Sequence, residues 1–104
     1  MQYHFDSKYI PPAASLDVLL INGQTRQRTS LLPAFVDTGA DATIIPIVHL
    51  KQIAAVAIEK RFLRSQWGER RPVKLYAIRL QFGNLVLPEP RVVGDDRSNE
   101  ILIG

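Results

Sequence analysis

The apolar residues of this chain come in short runs, each closed by a turn signal, and that pattern constrains the fold more than any other feature. "ASLDVLLI" (14–21) ends at Asn22-Gly23, a dipeptide that favours a hairpin between two strand-like runs. The expected return strand, "QTRQRTSLLPAFV" (24–36), is polar first and turns apolar near Leu31, so its first half should face solvent and its second half the core. "RFLRSQWGERRPVKLYAIRL" (61–80) has strand-like residues on both sides of Gly68 and predicts a long hairpin with its tip at Trp67-Gly68-Glu69. Gly83-Asn84 separates "VKLYAIRLQF" from "LVLPEPRVV", "GDDRSNE" is a polar loop, and "ILIG" closes as a short buried strand. One window breaks the pattern. In "PIVHLKQIAAVAIEK" (46–60), Ile47, Leu50, Ile53, Ala54 and Ala57 recur at helical spacing, and Pro46 suits a first helical turn. Residues 1–13 have no period, and Pro11-Pro12 make them an extended N-terminal segment. The expectation is a mostly β domain over residues 14–104 with one helix, a small barrel or sandwich.

With 104 residues, 46% of them hydrophobic, the chain has room for one modest core. It has no cysteine, which excludes a disulfide framework, a zinc-finger pattern and a thiol nucleophile and fits a reducing, cytoplasmic setting. No apolar run approaches the roughly 20 residues of a membrane span, and "MQYHFDSKYIPP" is not a secretory signal. A net charge of +3 favours anions in general without choosing one.

Against this background Asp37 stands out. "PAFVDTGADATIIP" (33–46) runs apolar through Phe35 and Val36, meets Asp37-Thr38-Gly39, and becomes apolar again at Ile44-Ile45. A carboxylate on a buried strand costs several kcal/mol unless it is paired or used. Gly39 permits a tight turn and close approach by another backbone, and the Thr38 hydroxyl can fix that turn. The tripeptide alone is not decisive: Asp-Gly turns are common, and Asp-Thr/Ser-Gly arises by chance in about one chain of this length in twenty.

Its surroundings narrow the choice. Phe35-Val36, Asp37-Thr38-Gly39-Ala40, Asp41-Ala42-Thr43 and Ile44-Ile45 together resemble the active-site segment of the retropepsin-like aspartic proteases. A second element of that family, an apolar strand ending in glycine beside the Asp loop, is matched by Ile101 to Gly104, and the hairpin around Gly68 falls where the family carries its substrate-covering flap. The resemblance covers residues 14–104. It implies a small closed retropepsin-like β-barrel with one short helix and a flap hairpin near residues 60–80. It implies an aspartic endopeptidase in which a homodimer brings two Asp37 carboxylates together, one from each chain. Thr38 and Gly39 would support that dyad; Gly39, Ala40, Asp41, Trp67 and Gly68 would hold a peptide or protein substrate. No metal or other cofactor is implied. The chain departs from the family pattern in three ways. No Arg-Asp or Arg-Asn with its helix and interface strand follows Gly104, the flap holds only one glycine, and the 46–60 window is longer than in viral members and closer to bacterial ones.

Other chemistries find little purchase. His4 and His49 lack ligand spacing, and no serine stands in G-x-S-x-G. Lys60, Arg61, Arg64, Arg70, Arg71 and Lys74, interleaved with Phe62 and Trp67, are the residue types of a nucleic-acid contact. They are equally those of a solvated hairpin, and the expectation is no nucleic-acid partner and no membrane contact. The alternative function is a catalytically silent retropepsin-fold module for interaction or dimerisation.

Overall fold

A computed structural model describes residues 15–37, 39–40, 42–64 and 67–104; the expected N-terminal segment lies outside them. Seven strands and one helix follow in the order β1 (Ser15–Ile21), β2 (Leu32–Val36), β3 (Ile44–Pro46), α1 (Ile47–Gln52), β4 (Ala57–Arg64), β5 (Arg70–Phe82), β6 (Leu85–Asp95) and β7 (Ile101–Ile103). The sheet order is β1-β2-β7-β3-β6-β5-β4, and β1 also pairs with β5. That pairing, Leu19↔Gln81 to Ile21↔Arg79, closes six strands into a barrel and leaves β4 outside the ring. Closure leaves those six strands without an open sheet edge, while β4, paired with β5 alone, keeps one.

The core follows from strand alternation. Val18 and Leu20 on β1, Ile78 and Leu80 on β5, Val92 on β6 and Ile101 on β7 point inward and meet Ala34, Ile45 and Tyr76. Leu50 and Ile53 close one end of this core. A smaller cluster, Val73, Leu75 and Val93, packs against Ala42 and Ile44. Val73 and Leu75 lie on the face of β5 opposite to Tyr76, Ile78 and Leu80, so the strand serves one cluster with each face.

Two sequence expectations change. The helix spans Ile47–Gln52 and does not run to residue 60. Ala54 takes a left-handed backbone (φ 54°), and the Asn22 side chain donates to the carbonyls of Ile53 at 2.9 Å and Ala54 at 3.3 Å. With its carbonyls captured there the helix cannot propagate, and Ala57 begins β4. The same asparagine explains the second change. Asn22-Gly23 is not the tip of a tight hairpin, because Asn22 is buried and its Oδ1 accepts from Gln24 and Thr25 N–H. The chain instead makes a wider loop in which Arg26 has φ 67°, touches β1 again at Ile21↔Arg28, and becomes strand only at Leu32. The turn at Gly83-Asn84 does join Phe82 to Leu85 directly, with Gly83 at φ 58°, a conformation that favours glycine. Among the described residues no helix is long and apolar enough to cross a membrane.

Candidate active site

Asp37 is the first residue past β2. Its N–H donates to the Ile103 carbonyl at 2.9 Å, which extends the parallel β2–β7 pairing by one bond. There the chain turns. The Ala40 N–H donates to the Asp37 carbonyl at 3.0 Å, and the Gly39 N–H donates to Asp37 Oδ1 at 3.0 Å. The turn thus orients the carboxylate through one oxygen. No described residue bonds Oδ2, and the side chain is exposed. Strand β2 ends at Val36, so Asp37 stands on a tight turn at the strand's end, at the barrel's surface and not in its core.

The end of β7 closes against this turn. The Gly104 N–H donates to Thr43 Oγ1 at 3.3 Å, and Thr43 is itself buried. A Cβ on Gly104 would stand 2.7 Å from the Ala42 carbonyl oxygen and 3.1 Å from that of Ala40. Only a glycine allows the two backbones to lie so close. Asp37, Gly39, Ala40 and Gly104 are therefore held as one unit by two short parallel strands. Thr38 and Asp41, the other residues expected here, lie outside the described residues.

Trp67 and Gly68 occupy the far end of the β4–β5 hairpin. Its ladder runs out to Arg64↔Arg70, Gly68 has φ 85°, and Trp67 is 79% exposed. The tip is carried by β4 and β5, the Asp37 turn by β2 and β7.

Between them lies a hollow of about 460 Å³. Ala42, Thr43 and Gly104 form its edge on the Asp37 side, Leu75 and Val93 line it with apolar surface, and Arg61, Leu63 and Arg91 contribute from β4 and β6. Glu59 ties two of these together, accepting from Arg61 Nε at 2.7 Å and Arg91 Nε at 3.3 Å. The Arg61 hydrogen bond first, and Arg91 after it, hold the Glu59 carboxyl below the usual carboxylate range. Sequence reasoning missed this set. The residues alternate on β4 and sit opposite Leu75 and Val73 only through the strand register, and no local motif marks them. Among the described residues no group of three His, Asp or Glu side chains could hold a metal ion.

Solved structures of the foamy viral protease-reverse transcriptase have a similar fold. In its complex with an RNA/DNA hybrid the TM-score is 0.62 at 20% identity, over 89% of this chain and 11% of that one. In the dRH form in complex with double-stranded DNA it is 0.57 at 19% identity, over 86% and 14%. This chain thus spans a small part of those proteins, and the likeness is one of fold. It agrees with a mostly β, closed six-stranded barrel of retropepsin-like type. No protein-family model and no curated protein matches the chain.

Proposed function

We propose that this chain is an aspartic endopeptidase whose active site forms from two copies, each contributing Asp37. The observation that carries the reading is a carboxylate fixed through one oxygen on a glycine turn at the barrel surface, its second oxygen bonded by no described residue. A single acid so placed has little to do within one chain. Two of them across a two-fold axis make a dyad, and the similar solved structures are named as a protease joined to a reverse transcriptase.

Two carboxylates at such an axis share one proton, because like charges so close cannot both ionise. The ionised one takes a proton from water as it attacks the peptide carbonyl; the protonated one gives its proton to the carbonyl oxygen. The tetrahedral intermediate then collapses as a proton reaches the leaving nitrogen. In this reading Thr38 braces the dyad, Gly39, Ala40 and Asp41 hold substrate main chain, and Trp67 with Gly68 closes over it from the hairpin tip. The hollow beside Gly104 receives a substrate side chain.

Hydrolysis of an unstructured protein tests this directly. The rate should be bell-shaped in pH with an acidic optimum, since both limbs titrate the pair and not either carboxylate alone. It should fall steeply on dilution through the dimer dissociation constant. A hydroxyl-bearing transition-state mimic should inhibit and a chelator should not. Full specific activity from a demonstrated monomer would exclude the two-chain site. A dimer inactive at every pH would leave the barrel as a silent interaction module.

A further inference from the structure

The outer face of the β4–β5 hairpin is built in a way that folding alone does not favour. The ladder sets Lys60 opposite Lys74, Phe62 opposite Pro72 and Arg64 opposite Arg70. Residues directly opposite share a face, and like charges so placed destabilise a strand pair. All six side chains are exposed, while their alternating neighbours Val73 and Leu75 are buried on the other face. The face therefore carries two like-charge pairs, roughly 13 Å apart along the strand at four residues of ~3.3 Å rise. An aromatic ring stands between them. Among the described residues neither Lys60 nor Lys74 is held in any of the ion pairs, which join Arg61 and Arg91 to Glu59 and Arg71 to Asp95. One acid stands near each pair: Asp96 lines a hollow of about 360 Å³ with Lys60 and Lys74, and Glu69 lines another with Arg64 and Arg70. Phe62 is 61% exposed, and the Arg70 guanidinium lies over its ring, 4.5 Å from the centroid.

We propose that this face binds a single-stranded nucleic acid, with Lys60, Lys74, Arg64 and Arg70 on phosphates and one base stacked on the Phe62–Arg70 pair. The inference goes beyond the peptidase reading and uses the face of the hairpin opposite to the one that lines the hollow beside Gly104. Charge complementarity calls for a polyanion. An acidic peptide would satisfy the cations and leave the stacked ring and guanidinium without a role. A strand of nucleotides uses both, since bases stack on aromatic rings and on guanidinium planes alike. The sequence expectation of a solvated hairpin rested on composition, in which acids elsewhere dilute the charge. The register segregates four cations onto one face.

The test is fluorescence anisotropy of a labelled oligothymidylate titrated with the full chain. Four phosphate contacts predict a slope of log K against log salt of about −3, and hence roughly fifty-fold weaker binding between 50 and 200 mM salt. K60Q/K74Q should bring the slope to about −1.4 while leaving the unfolding midpoint unchanged or raised, because a repulsive pair is removed. F62A should weaken binding about 5- to 100-fold with the slope unchanged. No binding at low salt, or a slope indifferent to K60Q/K74Q, overturns the proposal. So does competition by polyglutamate as strong as by unlabelled oligothymidylate, which would mean an acidic protein partner. Duplex bound more tightly than single strand would also overturn it, by removing the stacked base.

Discussion

Asp37 and Asp95 both follow apolar strand residues and both turn the chain, yet the fold treats them in opposite ways. Asp95 ends β6 and is 8% exposed. Its Oδ1 accepts from the Arg97 N–H and from Arg71 Nη2, each at 3.2 Å, and its Oδ2 accepts from the Ser98 N–H at 3.0 Å. Both oxygens are occupied, and a guanidinium offsets the charge. Asp37 is exposed and has one oxygen engaged. Burial near a charge requires full satisfaction, and Asp95 meets that requirement. Asp95 is a structural acid. Asp37 is oriented but left available, as a group that must exchange protons with water or a second carboxylate needs to be.

Four substitutions can break or sharpen that contrast. Asp37→Asn should have the largest effect: a loss of peptidase activity of about 10²-fold or more, with stability changed by less than ~0.5 kcal/mol, as for a surface site. Peptide hydrolysis at the wild-type rate would sink the functional assignment of Asp37. Asp95→Ala should do the reverse, costing about 1.5–3 kcal/mol in urea unfolding while the folded fraction keeps most of its activity. Unchanged stability would mean that the Asp95 turn is not held by its side chain. Gly104→Ala drives a Cβ to 2.7 Å from the Ala42 carbonyl oxygen and should cost about 1–3 kcal/mol, as overpacking does. Because the displaced backbone belongs to the Asp37 turn, activity should fall with it; lowered stability at full activity would uncouple β7 from the site.

Glu59 gives the smallest effect and lies between the two acids in kind: it is paired, but at the surface. Its carboxyl is held below the usual range by Arg61 and then Arg91. A depressed folded-state pKa stabilises the fold above the unfolded-state pKa, and that contribution disappears as pH falls through the folded value. Glu59→Gln should therefore be slightly less stable than wild type near neutrality, and the two unfolding midpoints should converge in acid. A gap of the same size at every pH would show that ionisation of Glu59 contributes nothing.

How much was legible in the sequence divides along the same physical line. The strand runs, the hairpin tip near Gly68, the turn at Gly83-Asn84 and the short closing strand before Gly104 could all be read because each is local: alternation and turn residues act over a few positions. Asp37 could be singled out because a lone acid among apolar residues is also a local signal. The helix was misjudged in length because the group that stops it, Asn22, comes from another loop. That use of Asn22 also widened the expected hairpin. Barrel closure through β1 and β5, the burial of Asp95 and the meeting of Glu59 with Arg91 depend on which strands pair and in what register. So does the segregation of four cations onto one hairpin face. The sequence by itself determined the elements and the acid that most invites a function. Only the tertiary structure decided what each charge faces, because a side chain's neighbours across a sheet come from distant parts of the chain and a shift of one residue turns it to the opposite side.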